Sequence, residues 1–217
     1  MANIKKHFLR PLLLLAAFVL WTWAVCVVDL QPIGPRGTRV GFGTLNGWVH
    51  SLTGVHLWLY ELTDWLGLVP IILCAAFGIL GLVQWVGRRS LGRVDRDLLV
   101  LGGFYLAVIL AFAAFEILEV NYRPVLIEGR LEASYPSSTT MLVLCVMPTA
   151  RMQLSGRLCS RRLCFWAKGA ICVFTVFMVL ARLLSGVHWF TDIVGGILLS
   201  SGLTDMYRSA LDFADPR

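Results

Sequence analysis

The sequence predicts an all-α integral membrane protein folded as a six-transmembrane helix bundle. Three observations carry that prediction. Of its 217 residues 58% are hydrophobic and only 15% charged, and the mean hydropathy is +0.75, too apolar for an ordinary soluble domain. The apolar residues fall in six blocks, at 11–28, 69–86, 98–118, 138–150, 165–184 and 189–207, where about 20 helical residues cross a bilayer. Lys and Arg, finally, gather in alternate links between the blocks, as the cytoplasmic loops of membrane proteins do.

The first block follows Lys5, Lys6 and Arg10. A basic start before an apolar run also describes a secretory signal, but this run exceeds a usual signal core and no small-x-small cleavage site clearly follows it. A retained helix is expected. Residues 29–54 are rich in Gly and Pro and include QPIGPRG, which reads as an external loop. Residues 55–68, VHLWLYELTDWLGL, scatter Trp58, Tyr60 and Trp65 among polar groups, as expected of a helix lying in the membrane interface. His50 and His56 occur in this region as lone histidines, with no partner group to make them catalysts.

The second block ends at Arg88 and Arg89, and the short polar link to Asp97 leaves no room for a cytoplasmic domain. Residues 1–217 are therefore read as a single transmembrane domain. The fourth block is short and is expected to extend through Met152 to Leu154. Gly78 and Gly81, Gly102 and Gly103, and the Gly195, Gly196, Ser200 series offer small surfaces for helix contact. No internal repeat and no low-complexity segment is present.

Orientation follows from the basic residues. Lys5, Lys6, Arg10, Arg88, Arg89, Arg93, Arg96, Arg151, Arg157, Arg161, Arg162, Lys168, Arg208 and Arg217 all fall on one side, which places both termini in the cytoplasm. The other face receives Arg36, Arg39, Arg123, Arg130 and Arg182. The net charge of +6 then matches anionic lipid headgroups on the cytoplasmic leaflet and calls for no nucleic acid partner. Cys26, Cys74, Cys145, Cys159, Cys164 and Cys172 lie in spans or on the cytoplasmic side. None has the spacing of a zinc site, and no disulfide framework is expected.

Chemistry-bearing residues cluster on the external side. In the stretch 181–196, ARLLSGVHWFTDIVGG, a helix starting near His188 puts Asp192 one turn along on the same face, within reach of a hydrogen bond from the imidazole. Such a bond fixes the tautomer and frees the other ring nitrogen for attack. Arg182 lies before a turn containing Ser185 and Gly186, and a guanidinium fork suits phosphate oxygens. At the end of the third block Pro124 stops any helix and extends Arg123. Glu116 and Glu119 stand near that boundary, where carboxylates are usually solvated. The run Pro136-Ser137-Ser138-Thr139-Thr140 opens the fourth block. It reads either as ordinary N-capping by Ser137 or Ser138 or as an anion site at a helix N-terminus.

Taken together, these three segments resemble the signature motifs of the type 2 phosphatidic acid phosphatase superfamily, which includes bacterial membrane lipid phosphatases and, more distantly, the vanadium haloperoxidases. In that family the first motif is Lys, six residues, Arg-Pro; the second is Pro-Ser-Gly-His; the third is Ser-Arg, five residues, His, three residues, Asp. The resemblance covers about 116–196. It implies that the bundle has a haloperoxidase-like core. It further implies that Arg123, Arg182, Ser137 and Ser138 bind phosphate, that His188 attacks phosphorus to form a phosphohistidine, and that Asp192 orients His188. The departures from the pattern that bear on the chemistry are Glu116 in place of Lys, Ala181 in place of Ser, and Thr139 on the leaving-group side where the family has a His.

The implied activity is that of a lipid phosphatase or diphosphatase of the cell membrane. It would need neither metal nor other cofactor, and its site would lie on the extracytoplasmic face. A threonine cannot act as an acid near neutral pH, and a general acid contributes about 10²–10⁴ in rate. This favours a polyprenyl diphosphate, whose leaving group needs less protonation, over phosphatidic acid. The alternative is a catalytically weakened relative that binds phospholipid headgroups or handles lipid for other membrane proteins. A solute channel or transporter is disfavoured, because the charges cluster at the membrane faces and not at mid-depth.

Overall fold

The computed structural model describes residues 2–157 and 160–214, so that Cys159 and Arg217 lie outside the described residues. Eight α-helices follow in order: α1 (Ala2–Val27), α2 (Gly43–Thr53), α3 (Leu57–Leu66), α4 (Leu68–Arg88), α5 (Arg96–Leu118), α6 (Ser138–Arg157), α7 (Arg161–Leu184) and α8 (Phe190–Ala214). Among the described residues there is no strand, only three isolated bridges, two of them pairing the α5–α6 link as a narrow ribbon.

Each of the six apolar blocks is helical. Four stretches are long and apolar enough to cross a membrane: His7–Val27, Leu57–Arg88, Arg96–Leu118 and Arg161–Leu184. The protein buries only 6% to 22% of their most apolar windows, so these helices present Leu, Ile, Val and Phe outward, as lipid contact requires. Helices α6 and α8 do not reach that hydropathy, and the packing explains why. Helix α8 packs against α1, α5 and α6, and α6 against α7, α8 and α4. With protein around them, α6 and α8 carry polar residues that a lipid-facing helix could not, including Thr149, Gln153, Ser200 and Thr204. Gln153 donates to Tyr207 Oη at 2.8 Å, and Thr204 Oγ1 to the Leu144 carbonyl at 3.2 Å.

The structure corrects one reading of the segment between α1 and α4 and adds to another. Residues 29–54 are not all loop, because they contain α2, whose buried Asn46 donates to Thr191 Oγ1 (3.0 Å) and accepts from the Thr191 N–H (3.2 Å). Asn46 thereby caps the start of α8. Helix α3 in turn is barely separated from α4, with a single break at Gly67. The two together form one stretch of 32 residues apolar enough to cross a membrane.

Small residues matter only where a neighbour is close. A Cβ on Gly195 would lie 2.6 Å from the Tyr135 ring, and one on Gly196 3.2 Å from Thr140. Around Gly78, Gly81, Gly102 and Gly103 nothing lies within 4 Å, so these four do not form the helix contacts expected of them. Gly186 is the most constrained: its φ is +69°, and a Cβ there would meet the Gly54 carbonyl at 1.9 Å. The α2–α3 link is held at the same place by the His56 N–H, which donates to the Ser185 carbonyl at 2.9 Å. Gly186→Ala should thus lower the thermal midpoint of the detergent-solubilised protein by several degrees, since strain of about 1–3 kcal/mol adds to a steric clash, whereas Gly78→Ala should leave it unchanged.

Candidate active site

Five segments converge on one buried cluster. The ribbon between α5 and α6 is fixed by Ser134 N–H to Asn121 C=O (2.8 Å) and Arg123 N–H to Glu132 C=O (3.0 Å), which turns Arg123 inward. Its side chain is 11% exposed and forms an ion pair with Glu132, Nε to Oε2 at 3.1 Å. Arg182, in the last turn of α7, is 1% exposed. Its Nη1 donates to Thr63 Oγ1 (3.0 Å) and to Asp64 Oδ1 (3.0 Å) on α3. Both guanidinium groups lie against the ring of Tyr60, with Arg182 Cζ 4.8 Å and Arg123 Cζ 5.5 Å from its centroid.

His188 lies in the turn before α8 and is 4% exposed. The bond expected from its imidazole to Asp192 goes elsewhere: Nδ1 is 3.1 Å from the Ser134 carbonyl and 3.7 Å from Asp192 Oδ2. A carbonyl only accepts, so Nδ1 carries the proton and Nε2 of the neutral ring carries a lone pair. Asp192 is occupied as a cap, Oδ2 accepting from the Trp189 N–H (3.0 Å) and Oδ1 from Asn121 Nδ2 (3.3 Å). Its own carbonyl accepts from the Ser137 N–H at 3.1 Å, tying the start of α8 to the start of α6. Burial, and next the Arg182 and Arg123 charges, hold the His188 pKa well below the ordinary histidine value.

The start of α6 divides the remaining candidates. Ser137 is fully buried; its N–H is taken by Asp192, and the helix leaves the N–H groups of Ser138, Thr139 and Thr140 without intrahelical acceptors. Ser138 lines the pocket beside His188 together with Glu116, Tyr135 and Pro136. That pocket measures about 10 Å³, space for about one water. Thr139 instead lines an apolar cleft of about 350 Å³ with Ile71 of α4 and Val108, Ile109 and Phe112 of α5. Phe112, Ser138 and Met141 border both spaces.

What sets this cluster apart is unused hydrogen-bonding capacity. His188 Nε2, Arg123 Nη1, Arg182 Nε and Ser137 Oγ are all buried without a hydrogen-bond partner in the protein. Buried polar groups are paired in the great majority of cases, and each orphan costs about 1–3 kcal/mol. Three donors and one nucleophilic lone pair lacking partners in one place are what an anion-binding reaction centre requires. Sequence reasoning named His188, Asp192, Arg123, Arg182, Ser137 and Ser138, which the structure gathers here, but not Asn46, Thr63, Asp64, Asn121 and Ser134 as their neighbours, nor Tyr60 as a partner of the arginines. These meet the motif residues only through tertiary contacts, and Ser134 acts through its backbone carbonyl, so local spacing carried no signal for them.

Fold and site together define a multi-pass helical membrane protein with a buried cationic site around a neutral histidine. Residues 121–208 match the PAP2 superfamily, which bears out the resemblance read from the three motifs. The fold is similar to the crystal structure of a transmembrane PAP2-type phosphatidylglycerolphosphate phosphatase from Bacillus subtilis, with a TM-score of 0.64 and 20% identity over 94% of this chain and 97% of that one. No curated protein matches the sequence.

The state of His188 can be read directly. The folded protein refuses a proton that an unfolded histidine takes up near pH 6.5, so stability present above that pH is lost as the pH falls below it. NMR titration of the His188 imidazole in detergent micelles should give a midpoint below 6.5; a midpoint at or above that value would contradict the packing described.

Proposed function

We propose that the protein is a lipid phosphatase or diphosphatase acting through a phosphohistidine. The observation that supports this most is the set of buried, unpartnered groups around His188 Nε2. In this reading Arg123, Arg182, Ser137 Oγ and the free N–H groups of Ser138 and its neighbours hold the phosphoryl oxygens, most firmly when charge spreads over them in the transition state. His188 Nε2 attacks phosphorus, the bond to the leaving oxygen breaks, and a phosphohistidine forms. Water then attacks phosphorus, the P–N bond breaks, inorganic phosphate leaves, and His188 returns to its neutral form. Nδ1–H stays on the Ser134 carbonyl throughout, and Asp192, 3.7 Å away, stabilises the positive charge the ring acquires.

The lipid part of the substrate lies in the apolar cleft, which puts the leaving oxygen on the side of Thr139. The two guanidinium groups supply the countercharge, so no metal is needed. Without an imidazole at Thr139, substrates with good leaving groups such as polyprenyl diphosphates turn over fastest. We further propose that all six long helices cross the membrane, with the termini cytoplasmic and His188 opening to the extracytoplasmic leaflet. The alternative, a catalytically weakened relative that binds headgroups, draws on Glu116, which lines the His188 pocket where the family has a Lys, and on Thr139, which cannot act as a general acid near neutral pH.

Phosphate release from a panel of lipid mono- and diphosphates should favour diphosphates and persist in a chelator. It should vanish in His188→Ala, fall little in Thr139→Ala, and rise most for monophosphates in Thr139→His, which restores a neutral-range acid. Binding of these lipids with no release from any of them would establish the headgroup-binding reading instead.

Topology has its own test. In a cysteine-free background, Glu128→Cys should react with an impermeant maleimide added to intact cells, and Gly92→Cys only after permeabilisation. The reverse pattern would invert the orientation.

A further inference from the structure

We infer that Tyr60 and Asp64 of α3 are positioning residues that set the geometry of the arginine pair toward an anionic phosphoryl group. The inference rests on the phosphate-site reading above. Both residues lie outside the segment 121–208 that matches the family, and they reach Arg182 across a sequence separation of 118 or more.

Arg182 is held from one side. Its Nη1 is committed to α3, donating to Thr63 Oγ1 and Asp64 Oδ1 at 3.0 Å each, with the Tyr60 carbonyl at 3.5 Å. Its Nε is buried and unpartnered. A planar guanidinium held at one corner has few remaining orientations, so Asp64 decides which edge is left for an anion. Tyr60 acts on both arginines at once. Two like charges repel, yet each guanidinium lies within reach of the negative face of the same ring, at 4.8 and 5.5 Å. The ring therefore acts as a spacer that fixes where two cations stand relative to one another. The position of α3 is fixed in turn by the His56–Ser185 hydrogen bond and by the contact of Gly186 with Gly54.

The competing account is that Asp64 only neutralises a buried Arg182. The pair joins a side chain 2% exposed to one 49% exposed, and so partly solvated a carboxylate is a weak device for stability. The two accounts predict opposite signs. If Asp64 merely neutralises, removing its charge frees Arg182 and an anion binds more tightly. If it positions, removing its oxygen lets the guanidinium turn away and the anion binds less tightly.

The test measures vanadate binding to the purified, full-length protein in detergent micelles, a readout that needs no turnover. Asp64→Ala should weaken binding by about tenfold or more, the scale of one lost charge-assisted hydrogen bond. Asp64→Asn keeps an acceptor oxygen and should bind at least as tightly as wild type. Tyr60→Phe should match wild type, because the ring and the backbone carbonyl remain, whereas Tyr60→Leu should weaken binding with its thermal midpoint unchanged. Should Asp64→Ala fail to fold, the contrast between Tyr60→Phe and Tyr60→Leu decides alone. Equal or tighter binding by Asp64→Ala, or wild-type binding by Tyr60→Leu, overturns the inference while leaving the phosphate site intact, provided Arg182→Ala abolishes binding. Failure of the wild-type protein to bind vanadate overturns both.

Discussion

Two guanidinium groups that share one aromatic ring in a largely buried place impose the constraint around which this end of the molecule is arranged. Like charges at short range in a poorly hydrated site repel strongly, so each needs a partner that does not consume its whole hydrogen-bonding capacity. Arg123 has Glu132 on its own ribbon and Arg182 has Asp64 on α3, and the ring of Tyr60 lies against both. These partners come from separate parts of the chain, which is why α3, the ribbon and the α7–α8 turn must all meet. Burial, and next these two charges, hold the His188 pKa well below the ordinary histidine value.

The fold class was legible because hydrophobic blocks of helical length have few other uses, and all six blocks are helices with ends displaced by a few residues. The fourth block shows where hydropathy misleads. Read as 138–150 and expected to run to Leu154, it continues to Arg157, since a helix enclosed by α4, α7 and α8 has no need to be apolar throughout. Helix α2 was hidden for a related reason: a stretch that begins Gly43-Thr44 amid glycines and a proline has weak local preference, and its buried Asn46 is specified by Thr191, 145 residues away. The glycine pairs on α4 and α5 failed for want of context, because a small residue does not say which face of its helix meets protein.

At the site, the motif residues were legible and their couplings were not. His188 and Asp192 have the spacing of a hydrogen-bonded pair, yet the start of α8 takes the carboxylate for its own N–H groups and the ribbon offers a carbonyl to the imidazole. The outcome for the ring is the one the spacing promised, Nδ1 protonated and Nε2 free, reached through a backbone atom that no side-chain pattern can announce. Tyr60 was read as an interfacial ring and Asp64 was not singled out, because an amphipathic aromatic segment looks the same whether its polar groups face water or a buried cation.

The contacts that join α1 to α8 bear on how the bundle assembles. Trp21 Nε1 donates to the Thr191 carbonyl and Ser209 Oγ to the His7 carbonyl, across separations of 170 and 202 residues. Helix α1 thus has its interior face covered only once α8 is in place, and its high hydropathy suits it to lipid until then. Helix α8, less apolar, packs into a surface that α1, α5 and α6 provide, so the buried cluster is complete only when segments far apart in sequence have docked.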